Sequence, residues 1–207
     1  MSCKYSAFYY KICFNIPMHK KYIITIAGRL GSGKSSTANR LAEILKYQRF
    51  SSGDFMRSIA EKHTVTLQEL SKMAEQDPTI DHEIDTEVKR AAERNNLVID
   101  SRLGFHWIKK SFKVYLFLRP EIAAERILLD AQNNPNRYTE GYASFTKESV
   151  TTSIIERLES EKKRYQSLYA IDHTDPQNFD IVIDTEKNNL DEVVKIILQR
   201  YSFWIQE

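Results

Sequence analysis

The residues with the clearest chemistry lie in one short run, Gly28-Arg29-Leu30-Gly31-Ser32-Gly33-Lys34-Ser35. It satisfies every fixed position of the Gly-x-x-x-x-Gly-Lys-Ser/Thr pattern and follows directly on the β-branched run from Tyr22 to Ala27. Glycines let successive backbone N–H groups turn inward, where they and the following helix N-terminus meet a polyphosphate. Lys34 adds a point charge near the β/γ-phosphates. Ser35 offers a hydroxyl oxygen of the kind Mg²⁺ accepts while keeping waters for its other positions. The competing reading, a glycine-rich surface turn, is weakened by the strand that precedes the loop.

Further charged residues stand at the ends of elements. Arg57 lies one turn into a helix that starts near Gly53-Asp54, and Arg102 comes two residues after Asp100 at the carboxyl end of a short apolar strand. Open α/β sheets place their ligands at that end. Both arginines suit bidentate recognition of a monophosphate dianion, or are ordinary solvated cations. Arg157, Glu161 and Arg164 are spaced four and three apart, so at about 100° per residue they share one helical stripe roughly 60° wide. That stripe runs beside Ile154, Leu158 and Tyr165. On its own it reads as a salt-bridged surface, worth a few tenths of a kcal/mol. Next to a phosphate loop its arginines supply the positive charge that phosphoryl transfer needs over the migrating group. Asp81 and Asp85, four apart, either accept the amino hydrogens of an acceptor base or are solvated acids near a helix start.

Strand-like runs alternating with helical patterns position these residues, which is the mark of βαβ units and a parallel sheet. After the loop, 36–46 reads as a helix with Ala38, Leu41, Ala42 and Leu45 on one face. A short strand at 48–50 leads to a helix reaching about Lys62, capped by Ser or Asp within 51–54. Thr66-Leu67-Gln68-Glu69 is a capping box, and Asp77-Pro78 opens a longer helix over 79–94. Three helices in succession, about 54–95, thus form an inserted helical subdomain. Strands follow at 97–100, 113–118 and 179–184, each apolar enough to be buried on both faces. Helices are expected at about 120–131, 147–169 and 190–201, with a polar segment at 132–141 between the first two.

With 207 residues, 42% of them hydrophobic, the chain can bury one sizeable core. Thirty Lys and Arg against 28 Asp and Glu give a net charge of +2, which argues against a nucleic-acid groove or a membrane-binding face. Cys3 and Cys13 precede the first strand without a ligand-spaced partner and read as reduced bystanders. Residues 1–17 make a poor signal peptide, interrupted by Lys11, and match no motif. A working domain over 18–207 is expected, with 1–17 dispensable. No stretch approaches the roughly 20 apolar residues of a membrane span. A soluble, cytoplasmic monomer is expected, with no nucleic acid or membrane among its partners.

Together, the loop, Ser51 to Arg57, Asp77 to Asp81, Val98 to Gly104 and Glu156 to Tyr165 resemble the cytidylate kinase family, its short archaeal-type branch in particular. The resemblance runs from about Met18 to Leu198. It implies the nucleoside monophosphate kinase fold within the P-loop NTPases, an α/β architecture with a five-stranded parallel sheet, a helical monophosphate-binding insert and a mobile lid over about 132–164. It implies transfer of the γ-phosphate of ATP to CMP or dCMP with Mg²⁺. By resemblance ATP is held by Gly28, Gly31, Ser32, Gly33, Lys34, Ser35, Ser36 and Arg126, and Mg²⁺ by Ser35 and Asp100. The monophosphate falls to Ser52, Arg57, Asp81, Asp85, Arg102 and Glu161, while Lys34, Arg157 and Arg164 act on the transferring group. Ser101 stands where many relatives have Gly, Lys34 where the archaeal branch often has Thr, and the placement of Arg137 is open. Alternatives are an adenylate or shikimate-type kinase, or a regulator that binds ATP without transfer.

Overall fold

The computed structural model describes residues 22–133 and 146–206. Cys3, Cys13, the extension 1–17 and Arg137 lie outside the described residues. Five strands, β1 (Ile23–Gly28), β2 (Gln48–Ser51), β3 (Leu97–Asp100), β4 (Phe112–Phe117) and β5 (Ile181–Asp184), form one sheet in the order β2-β3-β1-β4-β5. All pairings are parallel. Eight α-helices and one 3-10 turn (Pro176–Asn178) complete the described residues: α1 (Lys34–Leu45), α2 (Ser52–His63), α3 (Leu67–Gln76), α4 (Thr79–Ala91), α5 (Gly104–Trp107), α6 (Pro120–Asn133), α7 (Lys147–Tyr169) and α8 (Leu190–Trp204). None is long and apolar enough to cross a membrane.

β1 is buried over all six residues, as a central parallel strand must be. Its period of two divides the core: Ile24 and Ile26 join α1 and α8, with Leu41, Leu116, Ile197 and Tyr201, on one face. Ile23 points to the other face, with Ile99, Val88 and Ile108. The chain runs from β1 past β3 to β2, returns to β3, and then crosses to β4 and β5. The strand order therefore reverses about β1, and the carboxyl ends that open there carry Gly28, Ser51 and Asp100.

Local signals explain most boundaries. Ser51 caps α2 by accepting from the Asp54 amide, and Thr66 and Glu69 form the reciprocal box that starts α3. Asp77 accepts from the Thr79 amide at 3.0 Å at the start of α4. These three helices, α2 to α4, have a core of their own around Met56, Leu67, Leu70 and Ile80. β5 departs from expectation: it is two residues shorter, and Val182 is 43% exposed. It is the last strand of the sheet, so its apolar side chains have no second neighbour to cover them.

Candidate active site

The loop between β1 and α1 is shaped by two glycines. A side chain on Gly28 (φ 149°) would collide with the Leu116 carbonyl of β4, and Gly33 (φ 83°) takes the left-handed conformation that starts α1. Gly31, Gly33, Lys34, Ser35 and Ser36 line a cavity of about 360 Å³ that Arg57 and Arg126 complete. The Ser32 hydroxyl is buried within the loop without a hydrogen-bond partner. Lys34 donates to the Arg29 carbonyl at 2.9 Å. Burial, then the neighbouring Arg102, pulls its pKa down to about 8 against the attraction of Asp100 and Glu161. Arg126 donates to the Thr185 carbonyl at 2.5 Å, which fixes it at the cavity wall.

Ser35 donates to Asp100 Oδ2 at 2.7 Å, so the hydroxyl at the start of α1 and the carboxylate ending β3 meet at the mouth of the loop. Two hard oxygens beside a phosphate-sized cavity fit Mg²⁺, which favours one or two protein oxygens completed by phosphate and water. No larger group of acidic, His or Cys ligands exists among the described residues.

A second, smaller cavity of about 30 Å³ lies between α2, α4 and α7. Ser52, Asp81, Asp85, Arg102 and Glu161 line it, which unites five of the six residues expected to hold the acceptor. Arg57 is not among them. It is half exposed, ion-paired with Asp54, and faces the phosphate-loop cavity. Arg164 is the other displaced residue: it lines the acceptor cavity, where its Nε donates to Asp81 at 2.9 Å and its Nη1 to the Ser71 carbonyl at 3.2 Å. The seven-residue step from Arg157 to Arg164 is two turns of α7, enough to carry the second arginine off the phosphate loop and onto the insert.

Glu161 organises the middle of α7. It pairs with Arg102 and accepts from Arg157 Nε at 3.0 Å. Burial would raise its pKa, but Arg102 and Arg157, then His173 and Arg164, hold it down to about 2. Asp85 is fully engaged: Trp107 Nε1 donates to one oxygen at 2.8 Å and the Tyr169 hydroxyl to the other at 2.5 Å. Burial raises both Asp81 and Asp85 above the usual carboxylate range. Asp81 is engaged as well, by Arg164 Nε on one oxygen at 2.9 Å and Nη2 on the other at 3.5 Å.

A sequence profile described as an AAA domain matches residues 27–141. The cytidylate kinase of Sulfurisphaera tokodaii is 38% identical over 187 residues, which cover 88% of this chain and 97% of that protein. The chain belongs to the cytidylate kinase family. Part of a longer relative shares the same kinase-like region: the S-adenosylmethionine-dependent nucleotide dehydratase of Lacinutrix mariniflava is 35% identical over 180 residues, 86% of this chain but 35% of that protein. The chain thus matches about a third of that relative's length. Among solved structures, the shikimate kinase of Bacteroides thetaiotaomicron covers 90% of this chain and 99% of its own at a TM-score of 0.59 and 15% identity, a likeness of fold.

Within this member of the cytidylate kinase family, several residues that sequence reasoning passed over sit at the site. Arg49 on β2 reaches Asp100 and Asp54. His173, 4% exposed, stands 3.8 Å from Glu161. Trp107, Tyr169 and Ser71 hold the acceptor-side acids and arginine. Arg49 had a legible signal, since alternation along β2 puts it on the same face as the cap Ser51. The others act through contacts 12 to 93 positions apart in sequence and leave no local pattern.

Proposed function

We propose that this chain transfers the γ-phosphoryl group of ATP to CMP or dCMP, giving ADP and the nucleoside diphosphate. The observation that carries the reading is the pair of cavities at the carboxyl ends of β1 and β3, one lined by the phosphate loop and one by Arg102, Asp81 and Glu161. Family membership supports it independently. The backbone N–H groups of 31–35 cradle the polyphosphate, Lys34 faces its outer phosphates, and Arg126 lies toward the base end. Ser35 and Asp100 would hold Mg²⁺, which would offset the negative charge of the polyphosphate during transfer. Arg102 from the smaller cavity and Arg57 from the phosphate-loop side orient the acceptor phosphate, and Asp81, once released by Arg164, accepts the exocyclic amino hydrogens of cytosine. One acceptor phosphate oxygen then bonds to the γ-phosphorus as its bond to the β,γ-bridging oxygen breaks. Arg157 stabilises the charge spread over the migrating group.

The acceptor cavity, with room for only a water or two, must open to admit a nucleotide. Opening separates α7 from the insert at Arg164–Asp81 and at the 2.5 Å contact from Ser160 to Glu75. The same reading expects a monomeric, cytoplasmic enzyme of pyrimidine metabolism. A panel of CMP, dCMP, UMP and AMP with Mg²⁺-ATP, read as diphosphate formed, tests it. CMP or dCMP should be the best acceptor; AMP preferred would replace the cytidylate assignment, and ATP binding without any transfer would end the kinase reading.

A further inference from the structure

Five side chains form an unbroken line from Ser35 of the phosphate loop to Arg57 of α2. Ser35 donates to Asp100 at 2.7 Å, Arg49 Nη2 lies 3.5 Å from the same Asp100 oxygen, Arg49 Nη1 lies 3.0 Å from Asp54, and Asp54 pairs with Arg57. Cations and acids alternate along it, and Arg49 is the only member of the line that touches both carboxylates. Arg49 is partly buried, and its Nε is buried with no partner. A guanidinium with an unsatisfied donor is held by its carboxylates rather than by its own solvation, so it has less to lose on moving. Its 3.5 Å link to Asp100 is the longest in the line. That link faces the oxygen a divalent cation would claim.

We propose that Arg49 is a positioning residue that couples the two substrate sites. Its contact with Asp100 yields when a divalent cation and nucleotide load the phosphate loop, which frees Arg57 for the acceptor phosphate. The charge logic is direct. A dication beside Asp100 outcompetes a guanidinium for Oδ2 and repels it toward Asp54. Arg49 then satisfies Asp54 alone, and Arg57, half exposed and facing the phosphate-loop cavity, exchanges Asp54 for a phosphate dianion. Reciprocity follows from linkage: acceptor phosphate on Arg57 leaves Asp54 to Arg49, weakens its hold on Asp100, and raises affinity for the metal-nucleotide by the same factor. The inference rests on the acceptor role proposed for Arg57.

Calorimetric titration of CMP into the full chain, with and without Mg²⁺ and the non-hydrolysable β,γ-imido analogue of ATP, measures the coupling. The wild type should bind CMP about tenfold more tightly when the analogue and Mg²⁺ are present. Arg49→Met should reduce that ratio to near one. Arg49→Lys should also lose it, because a single ammonium cannot span both carboxylates, while keeping near-wild-type affinity for the Mg²⁺-analogue complex. Asp54→Asn gives an independent arm, for it cuts the line without touching Asp100, and should abolish the ratio too. A structural role would instead weaken both ligands and leave the ratio intact; that result, or a wild-type ratio of one, overturns the proposal. A wild type that binds no monophosphate at all overturns the acceptor reading and this inference with it.

Discussion

At the scale of single residues, two buried groups make the site pH-dependent in opposite directions. Lys34 is held to about 8, so its proton leaves as the pH rises through that value and the charge facing the polyphosphate is lost. The kcat/KM for ATP, which reports groups of the free enzyme, should fall above pH 8, and Lys34→Ala should remove most turnover at any pH while the backbone cradle remains. Near-normal turnover of that variant at saturating ATP would dismiss the loop assignment. His173 works on the acid side. Burial depresses its pKa to about 4 from 6.5 despite the attraction of Glu161. Arg102 and Lys162 oppose its protonation, Asp172 favours it, and the Tyr165 ring packs against it edge-on at 5.0 Å. Between pH 6.5 and 4 the unfolded chain therefore takes up a proton that the folded chain refuses, and stability falls progressively as the pH is lowered through that window. Glu161, depressed to about 2 from 4.5, adds a second loss at lower pH, since its favourable pairing is present above 4.5 and vanishes as the pH approaches 2. Thermal melts of wild type and His173→Asn separate the two windows: the variant should make the first shallower, leaving the smaller share of His106, and keep the second.

At the scale of elements, α7 assigns different tasks to two arginines of one stripe. Among the described residues Arg157 pairs with Glu161 of its own helix, and it lines the small cavity behind the phosphate loop, whereas Arg164 is locked to Asp81 and Ser71 of the insert. Arg157→Ala should lower kcat by about two to four orders of magnitude with little change in ATP affinity. Arg164→Ala should act mainly on the KM for the monophosphate and should also destabilise the fold by about 3 kcal/mol, because it strands the buried Asp81 carboxylate. Steady-state kinetics with CMP and a denaturant titration distinguish the pair. The stripe was legible from spacing, as were β3 and α7, whose ends match their expected residues because turn formers and caps such as Thr146 mark them locally. The phosphate loop was legible because its glycines, Lys34 and Ser35 are consecutive. The division of labour within the stripe was not, because it depends on where α3 and α4 lie relative to α7. Nor was the clamp on Asp85, since Trp107 reaches it from the four-residue helix α5, too short to leave a periodic signal.

At the scale of the whole molecule, the core is divided rather than continuous. The insert packs on Leu70, fully buried, and its own neighbours, while the sheet packs on α1 and α8. Leu70→Ala should cost about 2 to 5 kcal/mol, concentrated in α2 to α4. Hydrogen exchange should then show those helices opening ahead of the sheet, with acceptor binding weakened and ATP binding retained; uniform loss of protection would refute the division. The two tryptophans happen to mark the two halves. Trp204 stacks against Tyr201 at 5.8 Å, lies 6.0 Å from Phe112 in the sheet core, and lines neither cavity. Trp107 donates its indole N–H to Asp85, an acid of the acceptor cavity, beneath the Lys89 ammonium at 3.6 Å. Indole emission responds to the electric field across the ring, so filling the acceptor side should shift the colour of Trp107 while Trp204 stays constant. The protein therefore carries its own optical gauge and its own reference, and Trp204→Phe would leave a single-dye reporter of acceptor occupancy without any label attached.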